Sequence, residues 1–137
     1  MKQYLLDTNI CIHWLRGKYN IDAKINEVGF SNCYISEITV AELKVGALLG
    51  LRSGAKPQQQ GLQQFLSAIN IVPITHAIDV YAHEKVRLRL SGTPAHDDFD
   101  LLIGATAISQ EMIMVTENVK DFQNFQGIVI ENWIKRE

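Results

Sequence analysis

Five short apolar runs punctuate this chain: Tyr4 to Leu6, Cys33 to Ile35, Ile71 to Ile74, Met112 to Val115 and Ile128 to Ile130. Between them lie segments with the apolar spacing of amphipathic helices. Strands that alternate with helices pair in parallel, because the helix carries the chain back over the sheet. The expected fold class is therefore α/β, a central, mostly parallel five-stranded sheet flanked by helices. The helices are predicted over Ile10 to Arg16, Asp22 to Val28, Ile38 to Leu51, Gln58 to Ile69, Ala77 to Leu90 and Phe99 to Gln110, with glycines at 17, 29, 92 and 127 as punctuation. The tract "SGAKPQQQGLQQ", Ser53 to Gln64, reads as a surface loop entering a polar-faced helix. At 137 residues and 47% hydrophobic content the chain is expected to form one domain, residues 1–137, with a core that needs no disulfide or metal staple.

The opening "MKQYLLDTN" carries one lysine and an apolar run cut short by Asp7. Neither a secretory leader nor a membrane span fits, so a soluble, cytoplasmic protein is expected. Cys11 and Cys33 show no metal-ligand spacing with the four histidines and read as small buried hydrophobes. A formal charge of −2 does not advertise a polyanion binder, yet setting four carboxylates aside in one metal site leaves the rest of the chain at +2.

The acids carry the chemistry. In an open parallel sheet ligands bind beyond the carboxyl ends of the strands, and Asp7 stands at such an end. It could cap the next helix or hold something charged, and Thr8 and Asn9 could cap that helix equally well. Glu42 shares a helix face with Ile38, Val45, Gly46 and Leu49, an acid on an apolar stripe that should meet an Arg, a Lys or a metal. In "TPAHDDFDLLIGATAIS", Asp97 or Asp98 suits the cap of a helix, whereas Asp100 goes on to share a face with Ile103, Gly104 and Ala107. A further strand runs into Thr116, Glu117, Asn118 and Asp121, repeating the geometry of Asp7. Carboxylates gathered at one sheet edge repel unless cations intervene, and an all-oxygen donor set favours Mg²⁺ or Mn²⁺ over zinc. Such sites hydrolyse phosphodiesters, the metal polarising the phosphoryl oxygens and activating water.

The stretches "LLDTNICI", "ISEITVAELKVGA", "DFDLLIGATAIS", "VTENVKDF" and "GIVIENW" together resemble the successive motifs of PIN-domain ribonucleases, and specifically the VapC toxins of bacterial toxin–antitoxin modules. The resemblance runs from residue 4 to residue 133. It implies a PIN-like domain with an acidic pocket binding Mg²⁺ or Mn²⁺ and endonucleolytic cleavage of single-stranded RNA. Carried over by position, Asp7, Glu42, Asp100 and Asp121 are the catalytic acids. Asp7 and Asp100 are the direct metal ligands, and Asp7 leaves the capping to its neighbours. Thr8, Asn9, Thr116 and Asn118 are supporting polar groups. Glycine at 104 stands where many relatives have alanine, a departure taken as minor.

Lys44, Arg87, Arg89 and His96 are the candidate RNA contacts, and Lys85 and Lys120 are further surface cations that could meet phosphates. His13, His76 and His83 read as ordinary helix or loop residues, and Trp14 and Trp133 as core or interface anchors. The resemblance also implies a VapB-like antitoxin whose C-terminal segment blocks the acidic site, a homodimer, and a higher toxin–antitoxin assembly, with no membrane partner. The rival readings are a PIN nuclease of RNA processing without an antitoxin and a catalytically silent RNA- or protein-binding module. A haloacid-dehalogenase-type hydrolase ranks far lower, since "DTN" puts Asn9 where that chemistry needs a second acid.

Overall fold

The computed structural model describes residues 1–52, 57–94 and 96–136. Five strands, β1 (Tyr4–Leu6), β2 (Cys33–Ser36), β3 (Asn70–Val72), β4 (Ile113–Val115) and β5 (Ile130–Glu131), form one sheet in the order β3-β2-β1-β4-β5. Every pairing is parallel. The expected α/β sheet is borne out, and it is wholly parallel where a mostly parallel one was expected.

The helices are α1 (Thr8–Leu15), α2 (Ile21–Val28), α3 (Glu37–Arg52), α4 (Pro57–Ala68), α5 (Ile78–Leu90), α6 (Asp98–Ser109) and the single turn α7 (Val119–Phe122). The strands alternate their side chains between two cores. Tyr4, Leu6 and Val115 join Ile10, Ile25 and Phe65 in one. Leu5 and Met114 join Leu101, Ile103 and Phe122 in the other. Strands buried on both faces read as continuous apolar runs, which is why they stood out in the sequence.

Several boundaries moved for local reasons. β3 stops at Val72 because Pro73 follows with no N–H to give the ladder, and a 3-10 turn over Ile74–Ala77 takes the place of the last expected strand residue. α1 starts two residues earlier than expected, at Thr8, because Asp7 is itself the cap. α7 was not anticipated; four residues are too few to show a period. Residues 53–56 of the polar tract lie outside the described residues, and the helix expected after them is α4. Cys11 and Cys33 are free and buried, and burial pushes both thiols up, Cys33 to about 11. Trp14 stacks edge-on against Phe65 and Phe30, and Trp133 packs on Tyr4, as anchors should. No helix among the described residues is long and apolar enough to cross a membrane.

The strand order determines where a site can form. From β1 the chain moves outward through β2 and β3, then returns to the other side of β1 for β4 and β5. The reversal leaves a crevice between the carboxyl ends of β1 and β4, where the connecting helices diverge to opposite faces.

Candidate active site

β1 and β4 run in register, Leu6 opposite Val115, so the next residues, Asp7 and Thr116, emerge side by side at the crevice. The Asp7 amide donates to the carbonyl of Val115 at 2.9 Å. Its carboxylate is held at both oxygens: Oδ1 accepts from the Thr8 amide at 2.8 Å and Oδ2 from the Thr116 hydroxyl at 2.8 Å. Asp7 is 5% exposed. Burial raises its proton affinity, the two hydrogen bonds counter that, and the charges of Glu42 and Asp121 raise it further. The expectation that Asp7 leaves capping to its neighbours is corrected. Asp7 is the N-cap of α1, with extended backbone and a side-chain bond to the first helical amide. One carboxylate oxygen serves the helix while the other is oriented by Thr116, so capping and facing the crevice are compatible.

Glu42 reaches the same place from α3. The Thr8 hydroxyl donates to Glu42 Oε1 at 2.5 Å and lies 3.2 Å from the hydroxyl of Thr39, which is fully buried. The expected apolar stripe around Glu42 is not core: Val45 and Leu49 are 57% and 62% exposed. Among the described residues Glu42 has no Arg or Lys in contact. It borders a groove of about 440 Å³ between α1, α3 and α4, whose walls include Ile12, Leu15, Leu43, Ala47 and Leu62.

Asp100 arrives on α6. Asp97 caps that helix, accepting from the amides of Phe99 and Asp100 at 2.8 and 3.3 Å. Asp98 turns outward to Lys85 and Tyr81, which hold its carboxyl below the usual range. Asp100, half-buried, is pushed up to about 7, first by burial and then by the charges of Asp7, Asp97, Asp121 and Glu42. Carboxylates near one another raise one another's proton affinity in this way. Asp121 joins them from α7, whose start is tied to the site by the Asn118 amide donating to Thr116 Oγ1 at 3.0 Å.

As placed, no three Asp, Glu, His or Cys side chains among the described residues stand close enough to chelate an ion. The donor set is nevertheless all oxygen, and its repulsion is the kind a hard divalent cation relieves. Asn9 Oδ1, two residues after Asp7 on α1, is buried with no hydrogen-bond partner among the described residues.

The candidate RNA contacts divide. Lys44, Arg89 and Lys120 are exposed. Arg87 is committed within the fold: it forks onto Glu84 at 2.8 Å and donates to the carbonyl of Asn124 at 2.7 Å. Lys85 is engaged by Asp98. His96 packs edge-on against Phe125 and lines a cavity with Arg89. Glu117, between Thr116 and Asn118, turns to Arg136 and His13 instead of the acidic pocket.

Thr39 and Glu84 were missed as contributors, whereas Asp97 is the cap that the sequence offered alongside Asp98. Thr39 lies one turn before Glu42 and could have been found by that spacing. The departure at Gly104 also proves consequential, since a Cβ there would overlap the Phe125 ring and stand 3.3 Å from Phe122.

The PIN domain family model matches residues 4–127. The ribonuclease VapC2 of Rickettsia felis is 33% identical, the match covering 96% of this chain and 98% of that protein. The tRNA(fMet)-specific endonuclease VapC of Salmonella typhimurium is 28% identical over 97% of this chain and 99% of its own. Among solved structures, DNA-bound VapBC from Salmonella typhimurium aligns with a TM-score of 0.85 at 29% identity, covering 97% of this chain and 99% of that one. VapBC2 from Rickettsia felis, bound to a promoter DNA fragment, gives 0.83 at 28% identity over 95% and 98%.

Proposed function

The chain belongs to the PIN-domain family, among its VapC-type ribonucleases, and from that premise we propose that it is a Mg²⁺- or Mn²⁺-dependent endoribonuclease acting as the toxin of a toxin–antitoxin pair. The observation that carries the reading is the hydrogen-bonded network at the β1–β4 crevice, in which Thr116 links Asp7 to the start of the helix that bears Asp121 and Thr8 links the same strand end to Glu42, with Asp100 electrostatically coupled to these acids. Asp7 and Asp100 would hold the ion, with Glu42 and Asp121 completing the acidic pocket. When bound, a divalent ion supplies polarisation of a phosphoryl oxygen and activation of the attacking water. The chain's own residues do the rest. Thr8 and Thr116 orient the Asp7 and Glu42 carboxylates. Asp100, whose carboxyl is pushed up by burial and by the neighbouring carboxylates, would supply a second oxygen donor opposite Asp7. Exposed Lys44 and Arg89, with His96, contact RNA phosphates along the approach.

The groove that ends at Glu42 suits an antitoxin segment with apolar side chains along α1 and α3 and a basic one at the acid. Exposed Ile78, Val86 and Leu90 on one flank of α5 suit a second copy of the chain. The test is cleavage of a pool of structured RNAs that includes the initiator tRNA in the Salmonella relative's name, with Mg²⁺ or Mn²⁺ against EDTA. Metal-dependent cutting that disappears in Asp7→Asn and Asp100→Asn is expected. No cutting by the antitoxin-free wild type would favour a silent binding module.

A further inference from the structure

We propose that Glu84 and Arg87, on α5 and outside the acidic pocket, are positioning residues that set where α7 holds Asp121. The functional meaning of this placement rests on the nuclease reading above, while its geometry is independent of it.

α7 is one turn, bracketed by bonds from the Asp121 amide to the Asn118 carbonyl and from the Gln123 amide to the Val119 carbonyl, each at 3.0 Å. A helix that short does not hold itself in water, so the place of Asp121 must be imposed from outside. At its start the Thr116 hydroxyl links Asp7 to the Asn118 amide. At its other end the chain is taken by α5. Glu84 is 6% exposed, and its Oε1 accepts from the Gln126 amide at 2.7 Å. Arg87 grips both Glu84 oxygens and, through Nη2, also donates to the Asn124 carbonyl at 2.7 Å. Two backbone groups flanking Phe125 are thereby fixed from one helix.

Phe125 enters the core between them. Its ring meets Phe122 edge-on with centroids 5.7 Å apart, and it occupies the space left by the missing Cβ of Gly104. Gly104 lies one turn beyond Asp100 on the same face of α6. The path therefore runs from the Glu84–Arg87 pair to Phe125, to Phe122 and to its neighbour Asp121, beside Asp100. Apolar packing alone tolerates sliding along a helix. Directional bonds to Asn124 and Gln126 do not, and they set the register of the segment against α5. A buried carboxylate needs a partner to stay charged, and the Arg87 hydrogen bonds, then the Gln126 amide, hold Glu84 below the usual carboxylate range.

The experiment compares wild type, Glu84→Gln, Asp121→Asn and the double variant, as RNA-free protein, by amide hydrogen exchange and by calorimetric Mn²⁺ titration. In Glu84→Gln, exchange across residues 121–126 should quicken about tenfold with β1 unchanged, and Mn²⁺ binding should weaken several-fold. In the Asp121→Asn background Glu84→Gln should add no further loss of Mn²⁺ binding. Unchanged exchange across the segment, or a Mn²⁺ penalty that persists in full without Asp121, overturns the proposal. Should the wild type bind no Mn²⁺, the metal reading falls, and the exchange comparison alone decides the clamp. If Glu84→Gln fails to fold, Arg87→Lys, which keeps the charge and loses the fork onto Glu84 with its bond to the Asn124 carbonyl, carries the same comparison.

Discussion

Asp100→Asn should stabilise the metal-free protein while abolishing its activity. Asp100 titrates at about 7 in the folded chain against an ordinary 3.8. Below pH 4 both folded and unfolded chains carry the proton and nothing is lost. Between pH 4 and 7 the folded chain keeps a proton that the unfolded chain releases, so stability falls as pH rises and the loss is complete above about pH 7. A shift of roughly three units corresponds to about 4 kcal/mol as a ceiling. Asp100 is half-exposed, so solvent screening reduces this to about 1–2 kcal/mol. Its side chain makes no hydrogen bond among the described residues, and asparagine removes the charge without severing one. In EDTA at pH 8 the variant should melt roughly 3–10 °C above wild type, and at pH 5 the gap should narrow. Added Mn²⁺ should raise the wild type more than the variant, since only ligand bound to the folded state stabilises it. Thermal unfolding by circular dichroism at the two pH values decides the matter. A variant that melts below wild type at pH 8, or a gap equal at pH 5 and pH 8, would refute the charge-crowding argument.

Thr116→Val removes the donor to Asp7 Oδ2 and should cost at least tenfold in cleavage rate, with a stability change of about 1–3 kcal/mol in chemical denaturation; unimpaired cleavage would count against an oriented Asp7. Gly104→Ala drives a methyl group into the Phe125 ring and should destabilise by about 1–3 kcal/mol, measurable as a lowered denaturation midpoint. Asp98→Asn weakens only exposed contacts with Lys85 and Tyr81, so RNA cleavage should survive intact and the denaturation midpoint should stay close to that of the wild type. Arg89→Ala should weaken RNA binding and lower the salt slope by about one unit in titrations at varied ionic strength, whereas Arg87→Lys should leave that slope alone.

What the sequence made legible was whatever is local. The doubly buried strands announce themselves as apolar runs, and the acids at their ends follow from the chain direction, because a parallel sheet delivers every strand's carboxyl end to one edge. Asp100 was separable from Asp98 because two residues on a helix differ by more than half a turn. The missing parts depend on contacts between distant segments. Asp7 was read as cap or ligand because a sequence shows one side chain, not two oxygens with different partners. Its second oxygen needed Thr116, brought alongside only by the β1–β4 register. The exposed flank of α3 was equally unreadable. Val45 and Leu49 have the spacing of a core stripe, and only the packing of α4 and α1 against Leu43 and Ala47 decides which apolar face is covered.

Arg87 shows the same limit most plainly, since its assignment depends on a segment some 37 residues away. By composition it is one more surface arginine on a helix, equivalent to Arg89 two residues later. Two residues along a helix turn the side chain to another face, so Arg87 meets Glu84 and the Asn124 carbonyl while Arg89 stays in water. A buried glutamate at the i−3 position is the signal that could have separated them: an acid facing the core requires a partner, and Arg87 is the cation within reach on its own helix. The same reasoning explains why glycine suits position 104 in this chain. Once the Glu84–Arg87 pair holds Asn124 and Gln126, the Phe125 ring has nowhere to go but against α6, and any side chain at 104 would push that segment, and Asp121 with it, away from Asp100.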